Sequence, residues 1–276
     1  MPATGDLTRI RTNLQALNAL EALRQINSRL AMAQLKLSTG KRINSSADDP
    51  AGLTLANNLD VRARRLAQAA ANIGDAENVL NIAEGGLQNL QSLLNDMNEK
   101  VLQAANDTQG TNERSAIFQQ LQQLGEEVDS VARQTQFNNV VLLTNQTMTF
   151  QSGPDGADFT VFRISSSFTS AALSVNNLTV ASQTLASTSL GSVTAALTSV
   201  STVLQQLGAS LQRMRIKADN LSIGKLNVIA AQSRIVDADL AAEQLESSKL
   251  QILQQTATAM LAAANNGPAS ILALFQ

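Results

Sequence analysis

The stretch LDVRARRLAQAAANIGDAENVLNIAEGGLQNLQSLLNDMNEKVLQA, residues 59–104, decides the fold. Leu59, Leu66, Ile73, Leu80, Leu87, Leu94 and Val101 stand seven residues apart throughout, and Ala69, Ala76, Ala83, Leu90, Met97 and Ala104 form a companion seam. A seven-residue apolar repeat keeps one face of a helix toward a neighbour along its whole length, and alanines in the seam let that neighbour come close. Upstream, Asp49 and Pro50 supply an N-cap and a proline at the first helical position, so a helix over about 50–105 is expected. Gly85 and Gly86 are a cost inside it and favour a bend.

Working outward toward the N-terminus, Leu7, Ile10, Leu14, Leu17, Leu20, Leu23, Ile26, Leu30, Ala33 and Leu37 lie three or four residues apart, which is one stripe on one helix. Ser38, Thr39 and Gly40 end it, with Gly40 as a left-handed cap. Toward the C-terminus, turn chemistry around Gly110 precedes Ile117, Leu121, Leu124, Val128 and Val131, a third helix over about 112–134 that folds back antiparallel on the second. An insert over about 138–185 changes character. Thr147 to Phe150 and Phe159 to Ile164 are β-branched and aromatic, and Gly153-Pro154-Asp155-Gly156 between them reads as a hairpin turn.

A further helix over about 189–235 carries Leu190, Val193, Leu197, Val200, Leu204, Leu207, Leu211, Met214, Ala218 and Leu221 in alternating steps of three and four. Its seven-step continues through Val228, Ile235 and Ala242. Leu245, Ile252 and Ala259, with Leu253 and Met260 beside them, extend an apolar stripe until Asn266, Gly267 and Pro268 stop it. The expected fold is mainly α: long coiled-coil-like helices from both chain ends packed together, with a small β-hairpin region in the middle. Three regions follow, an N-terminal helix (1–46), a helical rod (47–235) and a C-terminal helix (236–276).

Composition narrows function by exclusion. The 276 residues contain no Cys and no His, which removes thiolate chemistry, disulfides, nearly all zinc and haem ligation and the commonest general base. Hydrophobic residues make up 44% and aromatics 3%, without Trp or Tyr, so the core must be aliphatic. The net charge of −2 and the absence of long basic runs argue against nucleic acid, and Arg62, Arg64 and Arg65 read as a solvated helix face. No run of 18 apolar residues proposes insertion into a membrane, and the first 30 residues are too polar for a signal-peptide core. Asp48 with Asp49 reads as a helix start, and Asp237 with Asp239 as exposed helix positions. Without a phosphate loop, nucleophile elbow or metal spacing, neither an enzyme nor a cofactor is expected.

What remains is the seams. The second, third and fourth helices can cover one another, whereas the first and last lie outside Pro50 and Ile235 and have only each other. Ordering so many residues on so little covered surface is unfavourable, so both ends are expected to fold fully only when neighbouring subunits supply the missing surface. Leu14, Leu17, Leu20, Leu23, Ile26, Leu30, Leu37, Leu245, Ile252, Leu253, Ala259 and Met260 are the expected polymerisation positions. Leu59, Leu66, Ile73, Leu80, Leu87, Leu94, Leu204, Leu211 and Leu221 are the expected rod seam.

Several ordered motifs give these ends a family resemblance. Ile10-Arg11-Thr12-Asn13, Leu37-Ser38-Thr39-Gly40-Lys41-Arg42-Ile43-Asn44 and Ala47-Asp48-Asp49-Pro50-Ala51-Gly52-Leu53 resemble the N-terminal signature of bacterial flagellin. Gln134-Thr135-Gln136-Phe137-Asn138 resembles the segment after its third helix. Ile235-Val236-Asp237-Ala238-Asp239, Lys249, Ile252-Leu253-Gln254-Gln255, Ala259-Met260-Leu261 and Ala264-Asn265 resemble its C-terminal signature. The resemblance implies a subunit that polymerises with itself into the flagellar filament, with the paired termini as a coiled coil lining the channel. It also implies type III export without a cleaved signal, a secretion chaperone on the C-terminal segment, cap and hook-junction proteins as partners, and an extracellular location. The short insert implies a form without large outer domains.

Two departures stand out. Arg11 replaces the family's usual Asn after a longer start. In the region that a Toll-like innate receptor reads in many flagellins, Asp96, Lys100 and Gln120 replace the residues of the receptor-binding type. Weak or absent activation in reporter cells is therefore implied. The alternative readings are a hook-filament junction protein, which shares related terminal helices, and a signalling coiled coil, which would need a helical tip where Gly153-Pro154-Asp155-Gly156 stands.

Overall fold

The computed structural model describes residues 12–272, with side chains as far as residue 266. Among the described residues the order is α1 (Leu14–Thr39), α2 (Pro50–Ala104), α3 (Thr111–Gln134), β1 (Gln136–Phe137), β2 (Val140–Val141), β3 (Thr147–Gln151), β4 (Phe159–Arg163), α4 (Gln183–Val236) and α5 (Leu240–Leu272). Leu7 and Ile10 at the head of the first stripe, Arg11, and the C-terminal Leu274 and Phe275 lie outside the described residues. The chain divides into two compact units, a terminal one of Met1–Val61 with Val228–Gln276 and a central one of Arg62–Asn227. The division falls inside α2 and α4, away from the region boundaries expected near 46 and 236.

In the terminal unit α1 starts on Asn13, whose side chain accepts the Ala16 amide at 3.0 Å, and ends on Gly40 at φ 67°. α1 and α5 lie antiparallel, since the partner index falls as the α1 index rises. Lys36 pairs with Glu243 at 3.1 Å, Asn27 Oδ1 accepts from Gln254 Nε2 at 2.7 Å, and Asn13 Nδ2 donates to the Ala264 carbonyl at 2.7 Å. The buried cluster between them holds Leu30, Ala33 and Leu250, with Ile26 against it.

In the central unit both seams of α2 have no exposed surface from Ile73 to Ala104. The Leu66 side chain lies within about 4 Å of where a Cβ on Gly224 would stand. Asn72 donates to the Gln151 carbonyl, and Lys217 to the Ser152 and Thr160 hydroxyls of the same hairpin. α2 and α4 are therefore antiparallel. α3 returns along α2: Arg114 bonds the Ala104 and Asn106 carbonyls at the turn, and Thr135 sits so close to Gly86 that a Cβ there would collide with it. The glycine inside the heptad run thus makes room for the C-cap of α3 against α2. β3 and β4 form the expected antiparallel hairpin, Thr147 opposite Arg163 and Gln151 opposite Phe159.

Four local expectations need correction. The fourth helix begins at Gln183 instead of about 189. Ser182 Oγ accepts the Leu185 amide as its cap, and Thr188, Thr194, Thr198 and Ser199 fold their hydroxyls back onto the carbonyl four residues earlier. Self-bonded in this way, a Ser/Thr-rich stretch does not compete for the helix's amides. A second small ladder pairs β1 with β2, which the sequence pattern does not announce. Asn138 and Asn139 have φ of 48° and 64°, the left-handed pair of a tight two-residue hairpin.

Asp237 and Asp239 are not interior helix positions, because α4 stops at Val236 and α5 starts at Leu240. Finally, α5 does not stop at Asn266-Gly267-Pro268 but continues to Leu272. Proline lacks the amide that would reach back four residues, which leaves the Ala264 carbonyl open. Asn13 of α1 fills that vacancy with its side-chain amide.

Candidate assembly surfaces of the terminal helices

The break between α4 and α5 meets the end of α1 and forms a joint. The Arg42 amide donates to the Val236 carbonyl at 2.6 Å and the Ala238 amide to the Gly40 carbonyl at 2.9 Å. Arg42 Nη2 adds a bond to the Ile235 carbonyl at 2.7 Å. Two motifs almost 200 positions apart thus complete one antiparallel bridge, with Lys41 opposite Asp237. Asp239 then caps α5, accepting the Ala241 and Ala242 amides at 3.0 and 3.1 Å, while Asp237 accepts the Ser233 hydroxyl.

The motif from Ala47 to Leu53 divides its two aspartates between tasks. Asp49 accepts the Gly52 amide at 2.8 Å and caps α2 as expected. Asp48 takes no part in the helix start, which corrects that reading. Its carboxylate accepts the Ser45 amide at 2.8 Å, the Asn44 amide at 3.0 Å and the Ser45 hydroxyl. The Ser45 amide first, and then that of Asn44, hold the Asp48 carboxyl below the ordinary aspartate range. A Cβ on Gly52 would run into the Asp49 carboxylate and Ile43 Cδ1, so the glycine lets the buried Ile43 close over the cap.

The remaining positions sort by exposure. In α1, Leu30 is buried, Leu20, Leu23, Ile26 and Leu37 are half-buried, and Leu14 and Leu17 are about half exposed. In α5, Leu245 is 73% exposed, Ile252 64% and Met260 65%, and Leu253 and Ala259 are exposed as well. The α5 face toward α1 is instead Ser247, Leu250, Gln254, Ala257, Leu261 and Ala264, again in steps of three and four. Apolar periodicity does not mark this seam, because Ser and Gln occupy two of its positions.

In the rod seam Leu66, Ile73, Leu80, Leu87, Leu94, Leu211 and Leu221 are buried, and Leu59 and Leu204 half-buried. Asp96 and Gln120 are exposed and Lys100 is half-buried. Among the described residues no group of three acidic side chains could hold a metal, and no helix is long and apolar enough to cross a membrane.

Comparison with known proteins meets this geometry at both ends. The bacterial flagellin N-terminal helical region matches residues 10–148 and the C-terminal helical region residues 190–275. The chain belongs to the bacterial flagellin family. It is 33% identical to a flagellin of Halalkalibacterium halodurans over 97% of its length and 99% of that protein's. Flagellin FlaB1 of Treponema pallidum is 32% identical with the same coverage. A putative flagellar hook-associated protein from Vibrio parahaemolyticus shares the fold, with a TM-score of 0.57 and 16% identity over 69% of this chain and 100% of that one. This flagellin-family chain is a structural subunit of the flagellar filament, not an enzyme.

Proposed function

We propose that the chain polymerises through the outer faces of its paired terminal helices to build an extracellular filament for swimming. The observation that carries this reading is the apolar surface of α1 and α5 left uncovered by their own pairing: Leu14, Leu17, Leu245, Ile252 and Met260. Covering an exposed leucine or isoleucine stabilises by about 1.5–3 kcal/mol per side chain, and a helical homopolymer provides such cover on every copy. Export through the flagellar type III apparatus, a chaperone shielding α5 beforehand, and a cap and hook-junction proteins bounding the filament complete the proposal. All are partners suited to a chain whose apolar end must stay unpaired until it reaches the growing tip.

Seeded polymerisation tests it. Because Ile252 already faces solvent, Ile252→Asp should leave the helical content of the monomer unchanged while stopping growth from seeds. Long filaments from that variant would sink the proposal. Wild-type protein that binds seeds but never extends them would favour a junction protein.

A further inference from the structure

Asp155-Gly156 is the single Asp-Gly pair in the sequence, and it stands at the tip of the β3–β4 hairpin. Both residues are exposed. The turn treats its two glycines differently. A Cβ on Gly153 would collide with the Asp158 side chain, whereas a Cβ on Gly156 would meet nothing within 4 Å. Gly156 also lacks the positive φ that calls for glycine. Neither space nor backbone conformation requires a glycine at 156, and the missing side chain leaves its amide nitrogen open to approach.

Hydrogen bonding sets the same peptide group apart. Among the described residues the Gly156 amide donates no hydrogen bond. The Asp155 carbonyl, by contrast, accepts two, from the Asp158 amide at 3.0 Å and from Gln151 Nε2. Gln151 Nε2 also reaches the Gly153 carbonyl at 3.0 Å, so this last residue of β3 holds its donor over the turn. Two donors on an amide oxygen draw electron density from the nitrogen and stabilise negative charge that develops on that oxygen.

We infer that Asp155 is a self-modification site, at which the chain isomerises to isoaspartate through a cyclic imide. The Gly156 nitrogen attacks Asp155 Cγ: the N–Cγ bond forms, the Cγ–OH bond breaks, and the hydroxyl leaves as water with the amide proton. Water then adds to the former backbone carbonyl carbon of Asp155, the bond from that carbon to nitrogen breaks, and the nitrogen regains a proton. The main chain now runs through Cβ and Cγ, and the old carbonyl ends as a free carboxylate. One water leaves and one enters, without an oxidant or a group donor. The Gln151 and Asp158 donors serve both steps. They ease loss of the amide proton, and they hold the oxyanion that forms when water attacks the carbonyl carbon, which steers ring opening toward isoaspartate.

Purified full-length chain, held in neutral buffer and sampled over days, tests this. Trypsin releases the site in one peptide, residues 134–163, in which electron-transfer fragmentation locates isoaspartate. It should accumulate at 155 in the wild type. In Gly156→Val a β-branched side chain crowds the nitrogen, and accumulation should slow by about tenfold or more. Gln151→Leu should slow it by about two- to tenfold, the worth of one hydrogen bond in the transition state. The sign of that change is decisive: if Gln151 only clamped the turn, its loss would loosen the loop and speed ring closure. A wild-type chain without isoaspartate at 155 would overturn the site. A Gln151→Leu chain that isomerises at the wild-type rate or faster would overturn the role of the donors.

Discussion

Asp48 and Asp49 are adjacent and chemically identical, yet their environments differ. Asp49 holds one amide at the start of α2, whereas Asp48 gathers two amides and a hydroxyl from the loop before it. Those donors favour the ionised form, so the Asp48 pKa lies below that of a free aspartate. A carboxylate with a depressed folded pKa contributes stability fully above its unfolded value, about 3.9. That contribution is lost as pH falls through the lower folded value. A carboxyl-detected NMR titration should therefore place Asp48 below ordinary aspartate, and in Asp48→Asn the Asn44 and Ser45 amides should exchange faster at neutral pH. A midpoint at or above 3.9 would contradict the assignment. At this scale the sequence was legible where the rule is local: Asp-Pro marks a cap wherever it occurs. It was silent on Asp48, whose partners depend on how the loop folds back.

Among the elements, α5 shows how a helix survives its own proline. The carbonyl that Pro268 cannot serve belongs to Ala264, and Asn13 serves it from the other end of the chain while also capping α1. One side chain thus sets the register of two helices. Asn13→Ala removes both bonds and should lower stability by about 1–3 kcal/mol. Pro268→Ala returns a backbone amide to the Ala264 carbonyl, so the loss caused by Asn13→Ala should shrink toward the cap term alone. A thermal double-mutant cycle on assembled filaments measures the coupling, and strictly additive effects would exclude it. The heptads of α2 declare this architecture plainly, because a period of seven sustained over residues 59–104 has few other readings. The α4–α5 break and the inner face of α5 were hidden for the opposite reason. Apolar residues run on through the break, while the seam that contacts α1 includes Ser247 and Gln254.

On the scale of the whole molecule, the two units differ in how much they bury. The central unit has an aliphatic interior running from Ile73 to Ala104 and across α3 and α4, whereas the α1–α5 cluster is Leu30, Ala33 and Leu250. Local opening free energies follow buried apolar contact. Amide exchange on soluble monomer should thus be fast between Leu14 and Leu30 and slow across Ile73 to Val101, with protection of α1 rising on assembly. Strong protection of α1 in the monomer would show that the terminal pair is self-sufficient.

The joint of Gly40 and Arg42 with Val236 and Ala238 has a further meaning for the cell. A ribosome emits Arg42 long before Val236, so the first signature waits, unanswered, for nearly the whole of translation. A chain cut short by a frameshift or a protease before position 236 carries an intact start that never meets its complement. Such a fragment lacks both the bridge and all of α5. The bridge and the whole of α5 are thus present only in a chain translated through Leu272.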